Sequence, residues 1–275
     1  SMVLLKNQQK TLPISKTIET ITVIGPNAND RQYALGNYFG TPTHYTTILD
    51  GIEQKVSKKT KVNYFKGTNL TNSDTIFDVI GSDNFKGKLK VEYFNNSGLE
   101  GGPVSIDEVS FVDFDWGGAS PISMLTPGNF SIRYSGLLQA DFTGEVLLGM
   151  FAKGGSYQLF IDGKEILAAL GGNAIKVESN SIHLEKGKRY KVNLEYRCDN
   201  QWEAAIQLLW NKEALKGKDK MMNIVRESDI IVFVGGISAR VEGEEMPVVI
   251  EGFNKGDRTD LKLPKAQLDL LKELH

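Results

Sequence analysis

The chain has 275 residues, long for one compact domain and suggestive of two, with 40% hydrophobic and 24% charged residues, the balance of a globular protein. A formal net charge of −2 argues against an overall basic footprint for nucleic acid, and no stretch approaches the roughly 20 apolar residues of a membrane span. The lone cysteine, Cys198, excludes an intrachain disulfide and leaves the compartment open.

In chain order, Ser1 ahead of Met2 reads as a cloning remnant and "VLLKN" as the end of a helix already under way. "TITVIGPNAND" is a short β-branched run ending at Gly25-Pro26-Asn27, the pattern of a strand buried on both faces. "TTILDGIEQKVS" has helical spacing at Ile48, Ile52 and Val56, and "KVNYFKG" is a second short strand. Strand–helix–strand order predicts a parallel crossover. From about residue 83 the pattern changes to period 2 in "KLKVEYF", "FSIRYSGLLQA", "GEVLLGMFA", "SYQLFIDGKEI", "RYKVNLEYRC" and "EAAIQLLWN". Asp162-Gly163 between apolar runs is a hairpin signal. After residue 213 the first pattern returns: "MMNIVRESD" is helical, "IIVFVGG" a buried strand, and "PKAQLDLLKELH" an amphipathic helix that stops without a cap. The fold class expected is α/β plus all-β. An open, mostly parallel α/β sandwich spans 1–82 and 214–275, and an antiparallel β-sandwich is inserted at 83–213. The abrupt ends read as a piece cut from a larger protein.

Ligands of open parallel sheets bind beyond the carboxyl ends of the strands, which selects the loops Gly25–Asn37 and Gly235–Arg258. The second holds Glu242, Glu244, Glu245 and Glu251, followed by Asp257 and Arg258. A carboxylic acid whose pKa is raised by its neighbours or by burial can protonate a departing oxygen. On spacing alone a solvated acidic turn is the plainer reading. The cluster lacks His and Cys and does not follow the calcium-loop pattern, so no metal is expected. No dinucleotide fingerprint, Walker loop or nucleophile elbow is present, and no cofactor is expected. His44, His183 and His275 have no Ser or Cys motif beside them and are read as structural or surface. Trp116, Trp202 and Tyr157 could stack on sugar rings, although core packing is the plainer role for most of them. Trp116, in "FDWGGASP" beside Asp115 and two glycines, reads as loop.

Taken together, "VLLKNQQKTLPIS", "ITVIGPNANDRQYALGNYFGTP" and "SDIIVFVGGISARVEGEE", with "GDRTDLKLP" after them, resemble the C-terminal α/β-sandwich domain of glycoside hydrolase family 3. The members in question are exported β-glucosidases and β-xylosidases. The inserted segment, from "LKVEYFNNSGLEGGP" through "YQLFIDGKEI" to "AAIQLLWN", resembles a protective-antigen-type β-sandwich. The resemblance implies a retaining mechanism with two carboxyl groups about 5–5.5 Å apart. The nucleophilic Asp would belong to an N-terminal barrel with no counterpart in this sequence, so this stretch alone would be inactive. The acid/base glutamate would come from the loop after "IIVFVGG". Matching Glu-x-Glu favours Glu244, then Glu242, then Glu245. The long spacer "EMPVVIEGFNKG" before Asp257-Arg258 departs from the family and keeps Glu251 open. Trp116, Asp115 and Arg258 are the candidates for contact with a β-linked oligosaccharide or aryl glycoside. Asn27, Arg31, Asn37 and Tyr38 would either line the seam facing the barrel or touch sugar. The calcium-dependent relatives use a paired-Asp loop where this chain reads "AKGGSYQLFIDG", so calcium-dependent sugar binding is not expected. The resemblance implies a periplasmic or secreted parent.

Overall fold

The computed structural model describes residues 2–31, 35–36, 42, 44–72, 75–169, 177–212, 218–243 and 250–275. The chain divides into two compact units, Ser1–Ile76 with Lys216–His275, and Phe77–Leu215. Its strands are β1 (Thr20–Ile24), β2 (Lys61–Phe65), β3 (Asp78–Val79), β4 (Leu89–Phe94), β5 (Ser105–Val109), β6 (Asp113–Asp115), β7 (Phe130–Gln139) and β8 (Gly144–Lys153). They continue with β9 (Gly155–Ile161), β10 (Lys164–Ala169), β11 (Glu178–Leu184), β12 (Arg189–Cys198), β13 (Ala205–Trp210), β14 (Ile230–Phe233), β15 (Phe253–Asn254) and β16 (Asp257–Arg258).

Among the described residues the first unit has a three-stranded parallel sheet in the order β14–β1–β2. Alternate side chains of β1 serve opposite faces. Ile21 and Val23 pack with Leu49 and Ile52 of the helix Ile48–Lys55. Ile24 packs with Met221 and Met222 of the helix Lys218–Arg226 and with Leu270 of the helix Lys265–Leu274. Because both faces are covered, β1 is buried from Ile21 to Ile24, and the Thr22 hydroxyl within that run pairs with the Ser228 hydroxyl (2.6 Å). The helix Ile48–Lys55 opens on a capping box in which the Asp50 amide donates to Thr47 Oγ1 (3.0 Å) and the Thr47 amide to Asp50 Oδ2 (2.8 Å). At the other edge of the sheet, Asp229 Oδ2 accepts from the Thr20 amide and hydroxyl, both at 2.8 Å, and so ties the entry of β14 to that of β1. The Thr20 hydroxyl is the main cause that holds the Asp229 carboxyl below its ordinary pKa.

The second unit pairs two antiparallel sheets, ordered β10–β9–β12–β7–β4–β5 and β11–β8–β13–β3, with β6 also on β13. Inward residues such as Tyr134, Leu148, Leu194, Tyr196 and Ile206 form its core, while β9 alternates buried and half-buried along its length. That alternation is the period-2 signal seen from inside. Asp162 (φ 50°) and Gly163 (φ 80°) make the two-residue turn of the β9–β10 hairpin, both in the left-handed region that this turn requires.

β3 pairs with Leu209–Trp210 of β13 and belongs to that sheet, so the second unit starts at Phe77 where the sequence reading puts the change of pattern at 83. Residues 3–7 are not helical in this structure, and Val3, Leu4 and Leu5 are exposed.

Candidate active-site loops

Parallel pairing of β1 with β14 carries the loops that follow them to the same sheet edge. The first loop turns at once. Gly25 has φ +134° and lies so near β14 that a Cβ there would sit 2.3 Å from the Val234 carbonyl oxygen, so only glycine fits. The Asn27 amide donates to that same carbonyl (3.3 Å). Asn27 is 4% exposed, and its buried Oδ1 has no hydrogen-bond partner among the described residues.

The second loop is fastened at three points. Gln267, fully buried in the first turn of the helix Lys265–Leu274, accepts from the Gly236 amide through Oε1 (2.7 Å). Its Nε2 donates to the Gly236 and Leu70 carbonyls, both at 2.6 Å. Farther along, the Val241 and Glu242 amides both donate to the Ser238 carbonyl (3.0 and 3.1 Å), closing a tight turn around Arg240. From that turn the Arg240 guanidinium reaches the first loop, with Nε donating to Asp30 Oδ2 (3.0 Å) and Nη2 to Asp30 Oδ1 (3.2 Å). This two-pronged pairing fixes orientation as well as distance. The third point is the Gly243 amide, which donates to the Gly256 carbonyl (3.2 Å) next to β16.

Glu242 is exposed at the exit of this turn, and Glu251 is exposed just before the β15–β16 hairpin. Glu244 and Glu245 lie outside the described residues, as do Asn37 and Tyr38. Asn27 sits at the edge that receives both loops, with Arg31 half-buried just beyond Asp30. The spacer before Asp257-Arg258 ends in β15, which pairs with Asp257-Arg258 as β16, and Arg258 braces this hairpin. Arg258 Nη1 donates to the Gly252 carbonyl (2.8 Å), Nη2 to Asp260 Oδ1 (2.8 Å) and to the Lys262 carbonyl, and the guanidinium lies 4.7 Å from the Phe253 ring centre. Arg258, singled out as a substrate contact, is thus occupied with shaping its own loop. Among the described residues no group of three or more His, Cys, Asp or Glu side chains is placed to hold a metal ion.

In the β unit the reading of Trp116 as an open loop residue is corrected. It is 7% exposed, with its indole stacked on Phe114 (5.4 Å between ring centres) and set edge-on to Phe130 (6.2 Å). Its amide donates to the Ala204 carbonyl, so the flanking glycines start a turn only after the ring has entered the core. Asp115, half-buried, accepts from the Gly117 amide through Oδ1 (3.0 Å) and so helps to form that turn. Tyr157 is core, whereas Trp202 is 75% exposed, the reverse of the plainer expectation for it.

Sequence reasoning missed Asp30, Arg240 and Gln267. Opposite charges on the two loops that share a sheet edge, and a glutamine on the apolar face of the last helix, were the available signals.

Residues 2–275 match the glycosyl hydrolase family 3 C-terminal domain. A xylan 1,4-β-xylosidase of Xylanibacter ruminicola is 31% identical over 290 aligned residues, covering 100% of this chain and 32% of the relative. A β-glucosidase of Rhizobium radiobacter is 27% identical over 287, covering 98% of this chain and 32% of the relative. The crystal structure of a β-glucosidase from Kluyveromyces marxianus in complex with glucose shares the fold, with a TM-score of 0.67 at 19% identity, over 99% of this chain and 33% of that one. This chain therefore spans about a third of the length of the proteins it matches. With a parallel sheet whose edge gathers the glutamate loop, and a family match that runs almost end to end, the chain belongs to the glycosyl hydrolase family 3 C-terminal domain family.

Proposed function

We propose that this chain is the proton-donating part of an exo-acting retaining β-glycosidase, a β-glucosidase or β-xylosidase. The observation that carries this reading is the loop after β14. It leaves a parallel strand at its carboxyl end, is anchored by Gln267 and Arg240, and continues in sequence from Gly243 into Glu244 and Glu245. In a retaining reaction one carboxylate attacks the anomeric carbon while a carboxylic acid protonates the leaving oxygen; the same group then takes a proton from the water that releases the sugar. Glu244 is the proposed acid/base, with Glu242 and then Glu245 as the alternatives in the same loop. The nucleophile would come from a barrel elsewhere in a longer parent chain, exported to the periplasm or beyond. The substrates would be β-linked oligosaccharides and aryl β-glycosides, and no cofactor takes part.

A second reading, a non-catalytic carbohydrate-binding module, is favoured by one observation, the exposed indole of Trp202 on the β unit. Comparing the parent protein with the 275-residue chain alone separates the two. The first reading expects the parent to hydrolyse 4-nitrophenyl β-glucoside or β-xyloside and the isolated chain to show no turnover. A parent that binds these sugars without cleaving them would replace the first reading with the second. Turnover by the isolated chain would overturn the division of the two carboxyl groups between domains.

A further inference from the structure

We propose that the Asp30–Arg240 ion pair is a positioning device for proton transfer, setting the glutamate loop in register with the loop that follows β1. This rests on the reading that the loop after β14 supplies the acid/base.

Three observations carry it. First, the pair joins the two loops at the sheet edge: the partners are 210 residues apart in sequence, and both oxygens of the carboxylate are engaged. Two parallel contacts fix the guanidinium plane against the carboxylate, whereas a single contact would allow it to swing. Second, Arg240 stands inside the Ser238–Glu242 turn, so any movement of its head is passed through two peptide units to Glu242, the residue two before Glu244 in the chain. Third, the side chains are largely covered, Arg240 27% and Asp30 12% exposed, although both lie in loops rather than in a strand or helix. Removing either partner leaves a covered charge unpaired and costs stability, so the readout has to separate a misplaced loop from a loss of folded enzyme. Gln267 secures Gly236 at the start of the loop and Gly256 receives Gly243 at its far side. Arg240 is the lateral restraint between those two points.

A displaced acid/base has a specific signature. Protonation matters most for poor leaving groups and least for groups that depart as stable anions. Loss of lateral restraint should therefore slow substrates selectively, whereas a general loss of folded enzyme slows all of them alike. The test uses the parent protein carrying Arg240→Ala, Arg240→Lys, Asp30→Asn, or the exchanged pair Asp30→Arg with Arg240→Asp. Each is assayed on a 2,4-dinitrophenyl and an alkyl β-glycoside of the same sugar. Arg240→Ala is expected to lower kcat/KM on the alkyl glycoside by about 100-fold, the scale of a misplacement near 1 Å. On the dinitrophenyl glycoside the loss should stay within about threefold, since that leaving group needs no proton. Lysine, which makes a point contact, and Asp30→Asn should fall between, and the exchanged pair should recover part of the alkyl-glycoside rate. Equal losses on the two substrates, or no loss on either, overturn the proposal. If Arg240→Ala fails to fold, Asp30→Asn and the exchanged pair decide by the same ratio. A parent that cleaves neither glycoside overturns the glycosidase reading itself, and this inference with it.

Discussion

Gln267 shows how one residue can hold a loop in place. It is buried with no exposure, yet it satisfies the amide and carbonyl of Gly236 and the carbonyl of Leu70. A leucine in its place would fill the space and leave three backbone groups without partners, each costing about 1–3 kcal/mol. Gln267→Leu is expected to lower unfolding stability by about 3 kcal/mol, read from the denaturant midpoint at constant slope. A loss below about 0.5 kcal/mol, the range of an ordinary surface change, would contradict this role. Neither Gln267 nor the Asp30–Arg240 pair was legible in the sequence, because each acts through contacts between distant segments. Propensity and periodicity report a residue's own element, not its partner 210 positions away. Trp116 illustrates the opposite failure. Its glycine neighbours signal a turn correctly, but the ring precedes the turn and belongs to β6's inward continuation.

The strands were legible where burial alternates or is continuous: β9 and β12 alternate cleanly, and β13 is buried throughout. β11, at a sheet edge, is exposed from Glu178 to Ser181 with only Ile182 and Leu184 turned to the core, and offers no readable pattern. The two-residue β3 is too short to read and moved the unit boundary. The β-sandwich also has a titration behaviour set by its tyrosines. Burial pushes the Tyr93 phenol up to about 12, helped by Asp107, and raises Tyr134, Tyr157 and Tyr196, with the Glu178 hydrogen bond adding to the effect at Tyr157. A phenol whose folded pKa lies above its unfolded value contributes stability that is whole below about pH 10. As pH rises past that value, the unfolded chain gives up protons that the folded chain retains, and the contribution declines. The β unit is therefore expected to melt at falling temperature from about pH 10 upward, with Tyr157→Phe showing a shallower decline. Near-ultraviolet circular dichroism of the buried Trp116 and Trp210 follows this transition. A midpoint unchanged up to about pH 11 would contradict it.

At the scale of the whole molecule, two units have separate tasks. The parallel sheet places loops, and its helices cover both faces so that only the strand ends are open to chemistry. The inserted β-sandwich has its own core and depends on none of the sheet's side chains for it. Alternation of strand and helix signals around a period-2 block made the α/β and all-β parts readable from sequence, and the resemblance to the family directs the proposed acid/base to one loop. The choice among its glutamates was not readable, because which carboxyl carries the proton depends on local burial and neighbours rather than on spacing.

The most direct test of the account replaces Glu242, Glu244 and Glu245 singly by glutamine in the parent protein and measures kcat/KM on glycosides with leaving groups of graded acidity. Glu244→Gln is predicted to lose about 100-fold or more on poor leaving groups and far less on activated ones, while the other two keep a parental profile. Unchanged turnover in Glu244→Gln, or the same selective loss in a neighbouring variant instead, would contradict the assignment of the proton to Glu244.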